Sequence, residues 1–148
     1  MCGLLTASLT TNVSRTAHGA AACVALIEEV LTLNHTDLET TLWIGGEEYY
    51  TSDRGPFPNT QMRVSVRPSS GYAALSYMSH DEPGMAIVNS YNPTGGPKGI
   101  YLIFNGDVGS VFPRSALIEV SAAREALLEW LRTWSRPTCI QWQPFDRY

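Results

Sequence analysis

The sequence predicts an α+β fold: an antiparallel, hairpin-built sheet packed with two helices, in a single domain spanning residues 1–148. Three observations carry that expectation. Two segments, one near each end of the chain, repeat apolar residues at helical spacing. Between them, short alternating or apolar runs are separated by Gly, Pro, Asn and Ser at close intervals. No repeat, linker or low-complexity tract divides the 148 residues. A chain of that size buries about two thirds of its unfolded surface in one core.

Leu4 to Val13 alternates loosely and suits a first strand. Thr16 is placed to cap a helix reaching about Leu33, in which Cys23, Leu26, Ile27, Val30 and Leu31 recur at i, i+3, i+4, i+7 and i+8. Glu28, Glu29 and Thr32 then face water, and Asn34-His35 ends the helix. Leu42 to Ile44 is a short strand stopped by Gly45-Gly46. Glu47 to Asn59 holds Tyr49, Tyr50, Asp53, Gly55, Pro56 and Pro58, and reads as a strand end followed by an exposed loop.

Gln61 to Arg67 alternates most cleanly, with Met62, Val64 and Val66 on one face and Arg63, Ser65 and Arg67 on the other. Pro68 to Gly71 turns the chain into a hairpin partner, Tyr72 to Met78. His80 to Gly84 is a turn, Met85 to Val88 a strand, and Asn92 to Gly99 a loop. Ile100 to Phe104 is apolar throughout and is expected at the centre of the sheet, followed by Asn105-Gly106 as a two-residue hairpin turn. Ser121 is the expected cap of a helix burying Ala123, Ala126, Leu127, Trp130, Leu131 and Trp134. Pro137 ends that helix region, and Thr138 to Gln143 alternates as a last strand.

Hydrophobic residues make up 44% of the chain and charged residues 16%, the balance of a globular protein rather than a disordered one. No apolar run approaches about 18 residues, and no basic stretch precedes an apolar core at the N-terminus. The expectation is a cytoplasmic protein without membrane contact. Cys2, Cys23 and Cys139 are odd in number and form no CxxC pair, so they are expected as thiols in a reducing compartment.

Charge is unevenly placed. Glu28, Glu29, Asp37, Glu39, Glu47, Glu48 and Asp53 fall in a stretch without Lys or Arg, giving −7 there and +3 over the rest of a chain of net charge −4. Such a segment repels phosphate and favours a basic partner, so the chain itself is not expected to bind nucleic acid. A solvated helix face followed by a loop explains the same acids.

Candidate chemistry is sparse. His80-Asp81-Glu82 matches the H-x-E half of a zinc deaminase site, but the Pro-Cys-x-x-Cys half is missing: Pro137-Thr138-Cys139 supplies one cysteine at the wrong spacing. Gly95 to Gly99 precedes a strand instead of opening a helix, so it lacks the context of a phosphate-binding loop. No catalytic residue, metal or cofactor is expected. Tyrosines are the better lead, because they bury area at interfaces with little entropy loss. Tyr49, Tyr50 and Tyr91 are assigned to loops and contact; Tyr77 and Tyr101 to the core, together with Trp43, Trp130, Trp134 and Trp142.

The block from Gly95 to Gln143 is the most distinctive. It carries Phe104-Asn105-Gly106, Phe112-Pro113, the helix run Ala123-Arg124-Glu125-Ala126, then Arg136-Pro137 and Trp142. This arrangement resembles the bacterial immunity proteins of the Imm-one family, encoded beside polymorphic toxins that are often nucleic-acid deaminases. The resemblance implies a non-enzymatic protein that binds and silences a cognate toxin domain with a basic substrate cleft. The matching residues are structural in character and do not locate a site. An acid and aromatic surface suits a basic cleft, which makes Glu47, Glu48, Tyr49, Tyr50 and Asp53 the candidate toxin contacts, joined by Tyr91 from a neighbouring loop. A non-enzymatic adaptor for another protein and a small-ligand-binding domain are the alternative readings.

Overall fold

Both helices pack on one side of a single large antiparallel sheet, and a smaller ribbon covers part of the other side. The computed structural model describes residues 3–45, 60–79 and 87–144. In chain order the elements are β1 (Leu4–Ser8), β2 (Ser14–His18), α1 (Ala20–Thr32), β3 (Thr40–Gly45), β4 (Thr60–Arg67) and β5 (Tyr72–Ser79). There follow β6 (Ile87–Tyr91), β7 (Ile103–Asn105), β8 (Ser110–Val111), β9 (Ile118–Glu119), α2 (Val120–Thr133) and β10 (Gln141–Pro144). The sheet runs β10-β6-β5-β4-β3-β1-β2, with β9 added to β5; among the described residues β7 and β8 pair only with each other. Every pairing is antiparallel, so the α+β, hairpin-built architecture read from the sequence is the one observed.

The period-two pattern of β4 sets the two faces. Met62, Val64 and Val66 are fully buried under the helices, with Leu5, Ala7, Leu42, Ile44, Leu75 and Tyr77 from neighbouring strands. Onto them α1 lowers Cys23, Leu26, Ile27, Val30 and Leu31, and α2 lowers Ala123, Ala126, Leu127, Trp130 and Leu131. Trp130 is fully buried and still satisfies its indole, whose Nε1 donates to Thr60 Oγ1 at 3.1 Å. Burying that N–H without a partner would cost about 1–3 kcal/mol.

Opposite the helices, Leu102, Phe112, Ala116 and Leu117 close over Ala74 as a second small core. Polar groups fasten this cover. Ser90 Oγ donates to the Ala116 carbonyl at 2.7 Å and accepts from Leu75 N at 3.0 Å. Asn92 Nδ2 donates to the Leu117 carbonyl at 2.9 Å, and Phe104 meets Phe112 edge to face at 5.2 Å.

Several expectations are corrected. The first strand is a hairpin: the chain turns at Leu9–Val13, where Leu9 N donates to Val13 O and Asn12 takes φ 63, and Ser14–His18 returns as β2. Thr16 therefore pairs with Thr6 instead of capping a helix, and α1 starts after Gly19, whose φ of 84 favours glycine. Ile100–Phe104 is not central in the sheet. It forms the cover, and Tyr101 is 67% exposed rather than core.

Asn105-Gly106 is not a two-residue turn either. Asn105 pairs with Ser110, leaving a four-residue loop in which Gly109, not Asn105 or Gly106, has positive φ. The second helix begins at Val120 without a side-chain cap, one residue before Ser121. Trp134 ends it in the left-handed region at φ 54 and is 38% exposed, so it leaves the core. Trp142 is half-buried against Tyr77, and its strand begins at Gln141 because Thr138 and Cys139 are bound to the Glu129 carboxylate. Cys23 is disulfide-bonded, which removes the argument from free thiols to a reducing compartment; Cys139 is free and exposed. Among the described residues no helix is long and apolar enough to cross a membrane.

Candidate functional site

Glu47, Glu48, Tyr49, Tyr50 and Asp53 lie outside the described residues, in sequence between Gly45, the last residue of β3, and Thr60, the first of β4. Tyr91 is described, and it is not in a loop. It closes β6, half-buried and paired with Gln141 of β10. Because Ile87 lies opposite Met78 and Thr60 opposite Ser79, Tyr91 stands five residues, about 17 Å, along the strand from the sheet end marked by Thr60. The structure thus separates Tyr91 from the strand end onto which the acidic segment follows. It borders instead a groove of about 490 Å³ with Tyr72, Asn92, Glu119 and Cys139.

The acids of the −7 stretch do not act alike. Glu28 accepts from Arg124 at 2.8 Å and Glu29 pairs with Arg15 at 3.2 Å, so both are half-exposed partners in ion pairs rather than simply solvated. Glu39 is more buried and pairs with Arg63 at 3.3 Å. Exposed pairs of this kind contribute little stability, roughly 0–1 kcal/mol, but they cancel local charge. Asp37 is exposed, at the approach to β3.

Glu39 organises the most structured polar site on the second face. Its Oε2 takes Arg63 Nη1, and its Oε1 accepts from Gly106 N at 3.0 Å. Arg63 Nη1 also donates to the Phe104 carbonyl at 3.2 Å, with the guanidinium over the Phe104 ring at 5.2 Å. Gly106 sits so tightly on the connection to β3 that a Cβ there would collide with the Asp37 carbonyl. At the loop tip Asp107 N is held by Asn105 Oδ1 at 3.0 Å, and Val108 stands 75% exposed. A groove of about 300 Å³ runs from this tip past Glu39 and Arg63 to Trp43 and Gln61, which are themselves joined by a 3.2 Å bond.

The sequence reading missed this tip. The signal was present as a valine in a Gly-Asp-Val-Gly run, an apolar residue where a turn has no packing use for one.

The described groups suit binding better than bond-making. His35 is fully buried, with its ring spent on the Leu33 carbonyl and Thr40 hydroxyl. Burial, followed by its hydrogen bond to Glu129, pushes the Cys139 thiol up, so it is a poor nucleophile at neutral pH. Among the described residues no three His, Cys, Asp or Glu side chains are grouped to hold a metal ion. The half-signature at His80–Glu82 lies outside the described residues.

Compared with known families, residues 12–144 match the family model described as immunity protein Imm1. No curated protein matches.

Proposed function

The chain belongs to the Imm1 family of immunity proteins, proteins that inhibit a toxin, and from that premise we propose that its target is a nucleic-acid deaminase whose basic substrate cleft it occupies. The family match over nearly the whole chain is the observation that carries the reading. Families of this kind are generally non-enzymatic, and the exposed, polar grooves of the second face agree with a binding role. The whole chain, residues 1–148, acts as one domain in this reading. Neutralisation takes place in the cytoplasm, where a deaminase meets nucleic acid.

Electrostatics supports the choice of target. A toxin that holds a phosphate backbone needs a positive cleft, and an inhibitor with an acidic surface is steered towards it. Glu28, Glu29 and Glu39 are neutralised by arginines, which leaves Asp37, Glu47, Glu48 and Asp53, and of these Glu47, Glu48 and Asp53 are the acids assigned to the toxin. Tyr49 and Tyr50 supply aromatic anchors that slow dissociation. Tyr91, at the other end of β6, is assigned to the edge of the same interface only if the toxin extends along the β6–β10 edge.

The test is a double charge reversal, Glu47→Lys with Glu48→Lys. Against the toxin domain encoded by the neighbouring reading frame, association should slow, most strongly at low salt, while the melting temperature is unchanged. Association rates equal to wild type at every salt concentration would place the contact on other residues.

A further inference from the structure

We infer that the tip of the β7–β8 hairpin is a second, preorganised contact for the same toxin: Val108 inserts into an apolar site on it, and the groove beside Asp107 receives one of its lysine or arginine side chains. This inference rests on the toxin reading above and adds to it a surface and a chemistry of recognition. A lone exposed valine means little, since apolar residues are scattered over most protein surfaces. Here the valine is presented by a loop whose first two residues are tied down. Gly106 is bonded to Glu39 and pressed on the Asp37 backbone, Asp107 N is bonded to Asn105, and Arg63 grips Phe104 by hydrogen bond and ring contact. A rigid apolar tip binds without the ordering cost that a floppy loop incurs.

The groove selects the partner's charge. Leu38, Glu39, Trp43, Gln61, Arg63 and Asp107 line it. Among the described residues its one cation, Arg63, is already paired with Glu39, and Asp107 makes no ion pair. With Asp37 exposed under the same turn, the mouth of the groove is negative. A volume of about 300 Å³ is at the lower end of the roughly 300–1,000 Å³ typical of small-molecule pockets, so one long side chain suits it better than a metabolite. A second copy of this chain is disfavoured as the occupant, because two copies of net charge −4 would meet acid to acid. Trp43 and Gln61 also lie two residues before Gly45 and one after Thr60, so the groove leads to the strand ends that bound the acidic segment.

The experiment compares Val108→Ser, Asp107→Lys and, as a control on the helical side, the exposed Val24→Ser, with all melting temperatures measured. The probe is the catalytically inactivated toxin domain from the neighbouring reading frame. Val108→Ser should raise the dissociation rate about tenfold with little change in association, as loss of a central anchor does. Asp107→Lys should slow association, more at low salt, and Val24→Ser should match wild type. If both tip variants match wild type while the Glu47/Glu48 reversal still slows association, the tip is not a contact and the toxin reading survives. If wild type itself does not bind the toxin, that reading fails and this inference with it.

Discussion

Arg63 lies over Phe104 at 5.2 Å and donates to its carbonyl at 3.2 Å, so one side chain of the sheet holds the cover in place by ring and backbone together. The same nitrogen reaches Glu39, whose other oxygen fixes Gly106. Sheet, connection and hairpin tip are therefore one mechanical unit.

Arg63→Ala should destabilise the protein by about 2 kcal/mol, since it leaves a largely buried carboxylate without its charged donor. Arg63→Lys should recover only part of this, because an ammonium cannot stack as a planar guanidinium does. Chemical denaturation of both variants checks the order. An alanine variant as stable as wild type would contradict it.

Trp130→Ala should cost about 3–5 kcal/mol, the usual loss for a fully buried aromatic, and it strands the Thr60 hydroxyl as well. Trp142→Ala should cost less, about 2 kcal/mol, because that ring is half-buried, with its Nε1 on the Pro137 carbonyl. Equal losses would mean that β10 is packed more deeply than its exposure indicates.

His35 gives the protein an acid-sensitive joint. Its Nδ1–H donates to Leu33 O at 3.0 Å, and its Nε2 accepts from the Thr40 hydroxyl at 2.7 Å, an oxygen that already takes Thr10 N–H. Burial holds its pKa below the ordinary 6.5, opposed by the Leu33 and Val66 backbone contacts and by Glu39. The unfolded chain therefore binds a proton that the folded one refuses, and stability falls as pH drops below 6.5. His35→Gln should flatten that slope below pH 6.5, read from denaturation midpoints at each pH. An unchanged slope would assign the joint to other groups.

How far the sequence foretold the structure depends on how local each signal was. The β4 alternation and the α1 stripe were legible because burial on one face leaves a periodic trace. Ser14–His18 was not, since an edge strand with one buried residue, Ala17, shows no such trace, and Thr16 looks alike as a cap or a strand residue. Ile100–Phe104 announced burial without saying against what, so its place over Ala74 stayed hidden. Reading Asn105-Gly106 as the whole turn left Asp107 and Val108 outside it. That error concealed the loop tip, because the four-residue loop is set by tertiary contact with Glu39 and Asp37. The charge of the acidic stretch was legible, but the arginines that cancel Glu28, Glu29 and Glu39 come from elsewhere in the sequence.

The most direct test of the account is a titration of toxin activity. The toxin domain from the neighbouring reading frame is mixed with increasing amounts of this protein, and deamination of single- and double-stranded nucleic acid is followed. Stoichiometric inhibition is predicted, with activity falling linearly to near zero at one inhibitor per toxin. Full deamination at a large excess of this protein would contradict the central claim.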